Sequence, residues 1–232
     1  MKIFIVIFLL CLPSQIMAAV LLNGNTIEYT GDITDAQNTR FKDLLDSNIE
    51  RITSISITSG GGNINAGMDL AELIFKNQLD IIIPTFCFSS CANYLIPAAS
   101  NKTFGTNAVI GWHGDAASAR WRDADIDAMV SSLTGKEKQA KWLALRAHYD
   151  QVIEQAKERE TALYKKWRVN PDIMRLGLKG NVKDAVLANK ARGWTYSVDA
   201  MAFFGISNLP PSDSWQPKST SSFPLIIVNH IQ

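Results

Sequence analysis

Three short segments carry residues whose types and spacing could do acyl-transfer chemistry. The first is Thr58-Ser59-Gly60-Gly61-Gly62-Asn63-Ile64-Asn65-Ala66-Gly67. Glycines at a strand-to-helix turn allow backbone conformations closed to other residues, so amide N–H groups can converge on one phosphate or oxyanion. Alone, such a triplet is equally well a tight turn. The second is Phe86-Cys87-Phe88-Ser89-Ser90-Cys91-Ala92-Asn93-Tyr94-Leu95. A serine at a helix start faces backbone donors and a favourable dipole, which suits a nucleophile whose attack creates negative charge. Taken by itself, the plainer reading of Ser89 or Ser90 is an N-cap. The third is Val109-Ile110-Gly111-Trp112-His113-Gly114, an apolar strand ending in the sole histidine of this region. His113 reads either as a general base or as a half-buried structural residue. Nucleophile, base and oxyanion donors at consecutive strand ends form a set that none of the three makes alone, and strand ends are where α/β proteins build their sites.

The elements around these segments read as alternating strands and helices. Asn23-Gly24-Asn25 between apolar runs signals a hairpin. Thr34 or Asp35 opens a helix with Phe41, Leu44, Leu45 and Ile49 on one face. Ile52 to Ile57 alternates as a strand, a helix follows with Ala66, Leu70, Leu73 and Ile74 inward, and Asp80 to Pro84 is a wholly apolar strand. Past Asp115 the pattern changes to a charged helical stretch from about Asp123 to Trp167. Trp194 to Tyr196 is strand-like, Ser197 caps a helix ended by Gly205, and Ile206 begins a last strand. Pro210 through Ser222 reads as a linker and Phe223 to Val228 as an apolar tail. This alternation implies an α/β fold with a largely parallel sheet.

The segments from Ile55 to His113 resemble the Clp protease proteolytic subunit and the related crotonase-like and signal-peptide-peptidase-A families. Ser59-Gly60-Gly61-Gly62 running into Ala66-Gly67-Met68 is similar to the family's Ser-Pro-Gly-Gly and Ala-Gly-Met. Phe88 to Leu95 is similar to its Ala-Ala-Ser-Met-Gly-Ala-Phe-Leu, and Val109 to His113 to its Val-Met-Ile-His. Thr195 to Gly205 resembles the later Met-Ser-Ala-Glu-Glu-Ala…Tyr-Gly segment. The likeness covers about half of the mature chain. It implies a crotonase-like (Clp-protease-like) spiral of ββα units over 20–209 with a helical insertion at about 116–168. It also implies Ser90 as nucleophile with Ser89 structural, His113 as base, and the amides of Gly62 and Cys91 as oxyanion donors. A peptide or protein substrate along Gly61, Asn63 and Ile64 and a homo-oligomer are implied as well. The family's aspartate falls on Gly193, leaving Asp115, Asp172 and Asp184 as unranked substitutes. The reading is therefore an exported serine hydrolase, a peptidase by resemblance. Two alternatives are a catalytically silent peptide-binding or assembly protein and an acyl-CoA enzyme, which export disfavours.

Composition limits the remaining choices. The 232 residues include 23 Lys+Arg and 22 Asp+Glu. Near-neutral charge supplies no electrostatic reason for a nucleic-acid partner. Three cysteines and three histidines, scattered along the chain, make no zinc pattern, and neither a metal nor a cofactor is expected. Lys2, the apolar run Ile3 to Leu12, and Met17-Ala18-Ala19 follow the order of a secretory signal peptide over 1–19. Export, to a bacterial periplasm by the family likeness, leaves Cys87 and Cys91 in an oxidising compartment. Their spacing permits a disulfide, the alternative being two reduced, buried thiols.

Overall fold

A computed structural model describes residues 19–119 and 122–231. The expected leader falls almost wholly outside them. The chain is a mixed α/β protein built on nine strands among the described residues: β1 (Ala19–Asn23), β2 (Thr26–Thr30), β3 (Ser54–Thr58), β4 (Asp80–Ile83), β5 (Phe86–Phe88), β6 (Lys102–Phe104), β7 (Val109–Gly111), β8 (Gly193–Tyr196) and β9 (Leu225–Val228). The main sheet has the order β1-β2-β3-β4-β6, antiparallel only between β1 and β2. Its first pair is the expected hairpin, turned by Gly24 at φ +58°. Two small parallel pairs, β5 with β7 and β8 with β9, stand beside the sheet. Bridges from Ser59 to Cys87 and from Trp112 to Trp194 tie them in.

Helices α1 (Asp35–Asp46) and α2 (Ile64–Lys76) begin at side-chain caps, Thr34 Oγ1 accepting from Gln37 N and Asn63 Oδ1 from Ala66 N. Phe41 and Leu45 of α1 are buried, as are Leu70 and Ile74 of α2, against Ile55, Ile57, Ile81 and Ile83 of the sheet. Ile49, expected on the α1 face, lies past the helix end and is exposed. A π-helical turn, Cys91–Leu95, continues into α3 (Ile96–Ala98). The charged stretch is two helices, α4 (Asp123–Met129) and the 33-residue α5 (Gly135–Trp167).

Only the carboxyl-terminal part of α5 enters the core, through Ala156, Leu163, Tyr164 and Trp167. Tyr164 Oη donates to the Asn93 carbonyl at 2.6 Å, and Tyr94 Oη donates to Glu160 Oε2 at 2.8 Å. The same Glu160 oxygen accepts from Ala116 N, while Arg175 pairs with Asp115 and lies 3.9 Å from Glu160. Burial pushes the Glu160 carboxyl above its ordinary value, opposed by the bonds from Tyr94 and Ala116. This polar cluster clamps α5 onto the turn after β5. Each member has a partner, as buried polar groups require.

After α6 (Gly180–Ala188) and β8 comes α7 (Val198–Phe203), capped by Ser197 as expected. The final segment departs from the sequence reading. Ile206 starts no strand, and the stretch expected to be a linker, though largely exposed over 211–222, is anchored by Trp215. Trp215 is buried, donates through Nε1 to the Ala108 carbonyl at 2.9 Å, and meets Phe104 edge-on. The last strand is β9, paired in parallel to β8 from Gly193–Leu225 to Tyr196–Val228.

Candidate active site

β5 stops at Phe88, and the chain turns through Ser89 at φ +57° before Ser90 takes up helical angles of −55° and −28°. A left-handed serine between strand and helix is the geometry of a nucleophile elbow, and it costs of order 1–2 kcal/mol. Several contacts impose it. Ser89 N donates to the Gly111 carbonyl at 3.1 Å, and Asn93 N donates to the Ser89 carbonyl at 2.8 Å. Gly61 presses on the turn so closely that a Cβ there would lie 2.7 Å from Ser89 Cβ and 2.8 Å from the Phe88 oxygen. Cys87 and Cys91 are joined by a disulfide that spans the elbow.

The elbow separates the two serines. His113 Nε2 lies 2.7 Å from Ser89 Oγ. Ser90, expected to be its partner, is buried at 2 % exposure and donates to the Gly62 carbonyl at 3.1 Å. Its Cβ packs where a side chain on Gly67 would sit. The physical reason is the one left-handed residue. Positive φ at Ser89 turns its side chain toward the end of β7, and the helical Ser90 then points back into α2. Ser89 remains half-buried and reachable.

Gly62 and Cys91 are the amides expected as oxyanion donors, but the serine in contact with His113 is Ser89, and the amide that follows it in the chain belongs to Ser90 and not to Cys91. The N–H groups of Gly62 and Ser90 have no acceptor among the described residues. Gly62, at φ +151°, leaves no room for a Cβ, which would lie 2.3 Å from the Ile33 oxygen.

The expected peptide track along Gly61 to Ile64 is largely occupied. Gly61 N donates to Ser59 Oγ and its carbonyl accepts from Ile33 N, while Asn63 N donates to the Ile33 carbonyl. Gly61 and Asn63 therefore lack free main-chain groups for an added strand. Ile64, by contrast, lines open space. A cavity of about 200 Å³ is bounded by Ile64, Ser89, Asn93, His113, Asp115 and Leu178. A second of about 370 Å³ runs along Gly62 to Asn65 toward Val152 and Ile153 of α5. A third of about 540 Å³ lies between Asp123, Arg146 and Lys157. Ala119 borders all three.

Among the described residues no carboxylate bonds to His113. Gly193, on which the family aspartate falls, does lie beside it. A Cβ on Gly193 would come 3.2 Å from His113 Cβ but only 2.0 Å from the Trp112 oxygen. Asp115 is held by Arg175 and accepts from Ser118 N, Asp172 pairs with Lys179, and Asp184 is exposed. Instead the imidazole stacks on Phe88, with centroids 5.1 Å apart and an interplanar angle of 20°. Phe88 meets Phe223 at 6.1 Å, and Arg192 lies over the Phe223 ring. Partial burial of the ring, followed by repulsion from Arg192, holds His113 below the ordinary histidine value.

Asn93, Arg192 and Phe223 escape a sequence reading. An asparagine within the apolar run Ala92 to Ile96 was the one visible signal. Among the described residues no cluster of three His, Cys, Asp or Glu could hold a metal ion. No family model and no curated protein sequence matches the chain.

Proposed function

We propose that the chain is an exported serine hydrolase of the Clp-protease-like, crotonase-like kind, working through a Ser89–His113 dyad on a peptide or ester bond. The observation that carries this is the 2.7 Å contact between Ser89 Oγ and His113 Nε2 at a left-handed elbow. A serine hydroxyl is a weak nucleophile until an adjacent base takes its proton. Neutral His113 accepts that proton as Ser89 Oγ bonds to the substrate carbonyl carbon. The N–H groups of Gly62 and Ser90 stabilise the resulting oxyanion. His113 then returns the proton to the leaving amine or alcohol as the acyl-enzyme forms, and water repeats the sequence in reverse order. Depressing the His113 pKa keeps the base neutral but disfavours the imidazolium, so this dyad works more slowly than a carboxylate-supported triad. The disulfide supports export, since such bonds persist in oxidising compartments.

The test is labelling with a fluorophosphonate probe. Ser89→Ala abolishes labelling, His113→Ala slows it by orders of magnitude, and Ser90→Ala retains most of it in folded protein. Folded wild-type protein that never labels, yet binds peptides, would establish the catalytically silent alternative. That alternative draws its support from Gly193, which carries no carboxylate, standing beside His113.

A further inference from the structure

Phe86, Phe88 and Phe223 form an aromatic group outside the buried core. Along β5 only Cys87 is buried, and Phe86 and Phe88 share the opposite face of the strand. Ring centroids lie 5.4 Å apart between Phe86 and Phe223 and 6.1 Å apart between Phe88 and Phe223. The His113 imidazole rests on this group, 5.1 Å from Phe88 at an interplanar angle of 20°. Room for the Phe88 ring depends on Gly111, where a Cβ would lie 2.5 Å from Phe88 Cε2. Gly111 has no positive φ, so what glycine supplies there is space.

His113 needs such support more than a triad histidine does. Among the described residues its ring bonds to one other side chain, through Nε2 and Ser89 Oγ, and a single contact leaves a ring free to turn. In a triad a carboxylate fixes that orientation and stabilises the imidazolium. An aromatic face can do both. Offset stacking restricts the plane of the imidazole, and the π face attracts a cation within about 6 Å of the ring centre. When the Ser89 proton passes to Nε2, the imidazole becomes that cation while lying over Phe88. Resting on the hydrolase reading above, we infer that Phe88 is a positioning residue for His113. Its ring holds the imidazole toward Ser89 Oγ and stabilises the imidazolium, in place of a carboxylate. The stack thereby works against the burial and the Arg192 charge that disfavour the charged ring. Phe223 backs Phe88, and Phe86 backs Phe223.

Two measurements test this. In the wild-type protein, NMR should find the His113 ring protons upfield of their free-histidine positions, as a stacked aromatic ring requires. Unshifted protons overturn the assignment. Fluorophosphonate labelling of Ser89 then ranks variants first shown folded by urea unfolding. Phe88→Leu keeps apolar bulk without a π face. Its labelling should slow by about threefold to thirtyfold, the factor that a cation over an aromatic face is worth. Phe88→Tyr keeps the face and should retain most of the wild-type rate. Gly111→Ala leaves Phe88 in the chain but crowds its ring, so it should slow labelling too, and it takes the place of Phe88→Leu if that variant does not fold. A wild-type rate in folded Phe88→Leu, or in Gly111→Ala in its place, overturns the positioning role and leaves the hydrolase standing. So does an equal loss in Phe88→Leu and Phe88→Tyr. Wild-type protein that never labels overturns both readings.

Discussion

At the residue scale, the environment of His113 makes a prediction about pH. In the proposed dyad His113 must be neutral to accept the Ser89 proton. Its pKa lies below the ordinary value through ring burial and the Arg192 charge. Reaction should therefore hold its rate at mildly acid pH and fall only as pH drops through the depressed value. Arg192→Gln removes one of the two causes, so the acid limb of the labelling-rate profile should move to higher pH, with the plateau little changed. An acid limb that stays put would mean that Arg192 does not act on His113. The same variant separates charge from packing, because a glutamine retains part of the contact over Phe223.

At the element scale, the elbow is a short strand end pinned by a disulfide, a glycine loop and α5. Peptide mapping without reductant should recover Cys87 linked to Cys91. Replacing both by alanine should lower stability by less than about 3 kcal/mol, because the closed loop is small. Labelling should slow as well, since Ser89 loses a constraint on its left-handed conformation. Equal labelling in the double variant would show that Gly61 and the Gly111 carbonyl suffice to hold the turn. The polar clamp from α5 acts on the same element. Tyr164→Phe removes the donor to the Asn93 carbonyl and leaves that buried acceptor unpaired, at a cost of about 1–3 kcal/mol in urea unfolding.

At the scale of the whole molecule, the carboxyl-terminal segment is anchored to the body of the protein through buried Trp215, Leu225 and Val228. Trp215 sits in a buried pocket against Phe104, and Phe223 and Leu225 reach the back of the β5–β7 pair that carries Ser89 and His113. Trp215→Ala should cost about 3–5 kcal/mol by urea unfolding, the range for emptying a large aromatic site. A linker would tolerate the change within about 0.5 kcal/mol. Deleting residues from 210 onward should expose the β8 edge and remove the ring that backs Phe88, lowering both solubility and labelling.

Read alone, the sequence determined what local patterns can determine. Strand and helix periodicity, the Asn-Gly hairpin, the caps at Thr34 and Ser197, and the three chemistry-bearing strand ends all follow from side-chain spacing. The spacing that lets Cys87 reach Cys91 across one turn was legible in the same way. Tertiary structure decided which serine meets the histidine. A single positive φ reverses the direction of neighbouring side chains, and that angle is imposed by Gly61 and Gly111, both distant in sequence. It decided that Gly61 and Asn63 spend their main-chain groups on Ile33 and Ser59 and not on a peptide. It also decided that the Ser-rich end folds back, because the β8–β9 ladder joins segments separated by α7 and the Trp215 region. Such pairing depends on a partner edge being exposed and apolar at the right place, a property of the assembled sheet that no window of residues contains.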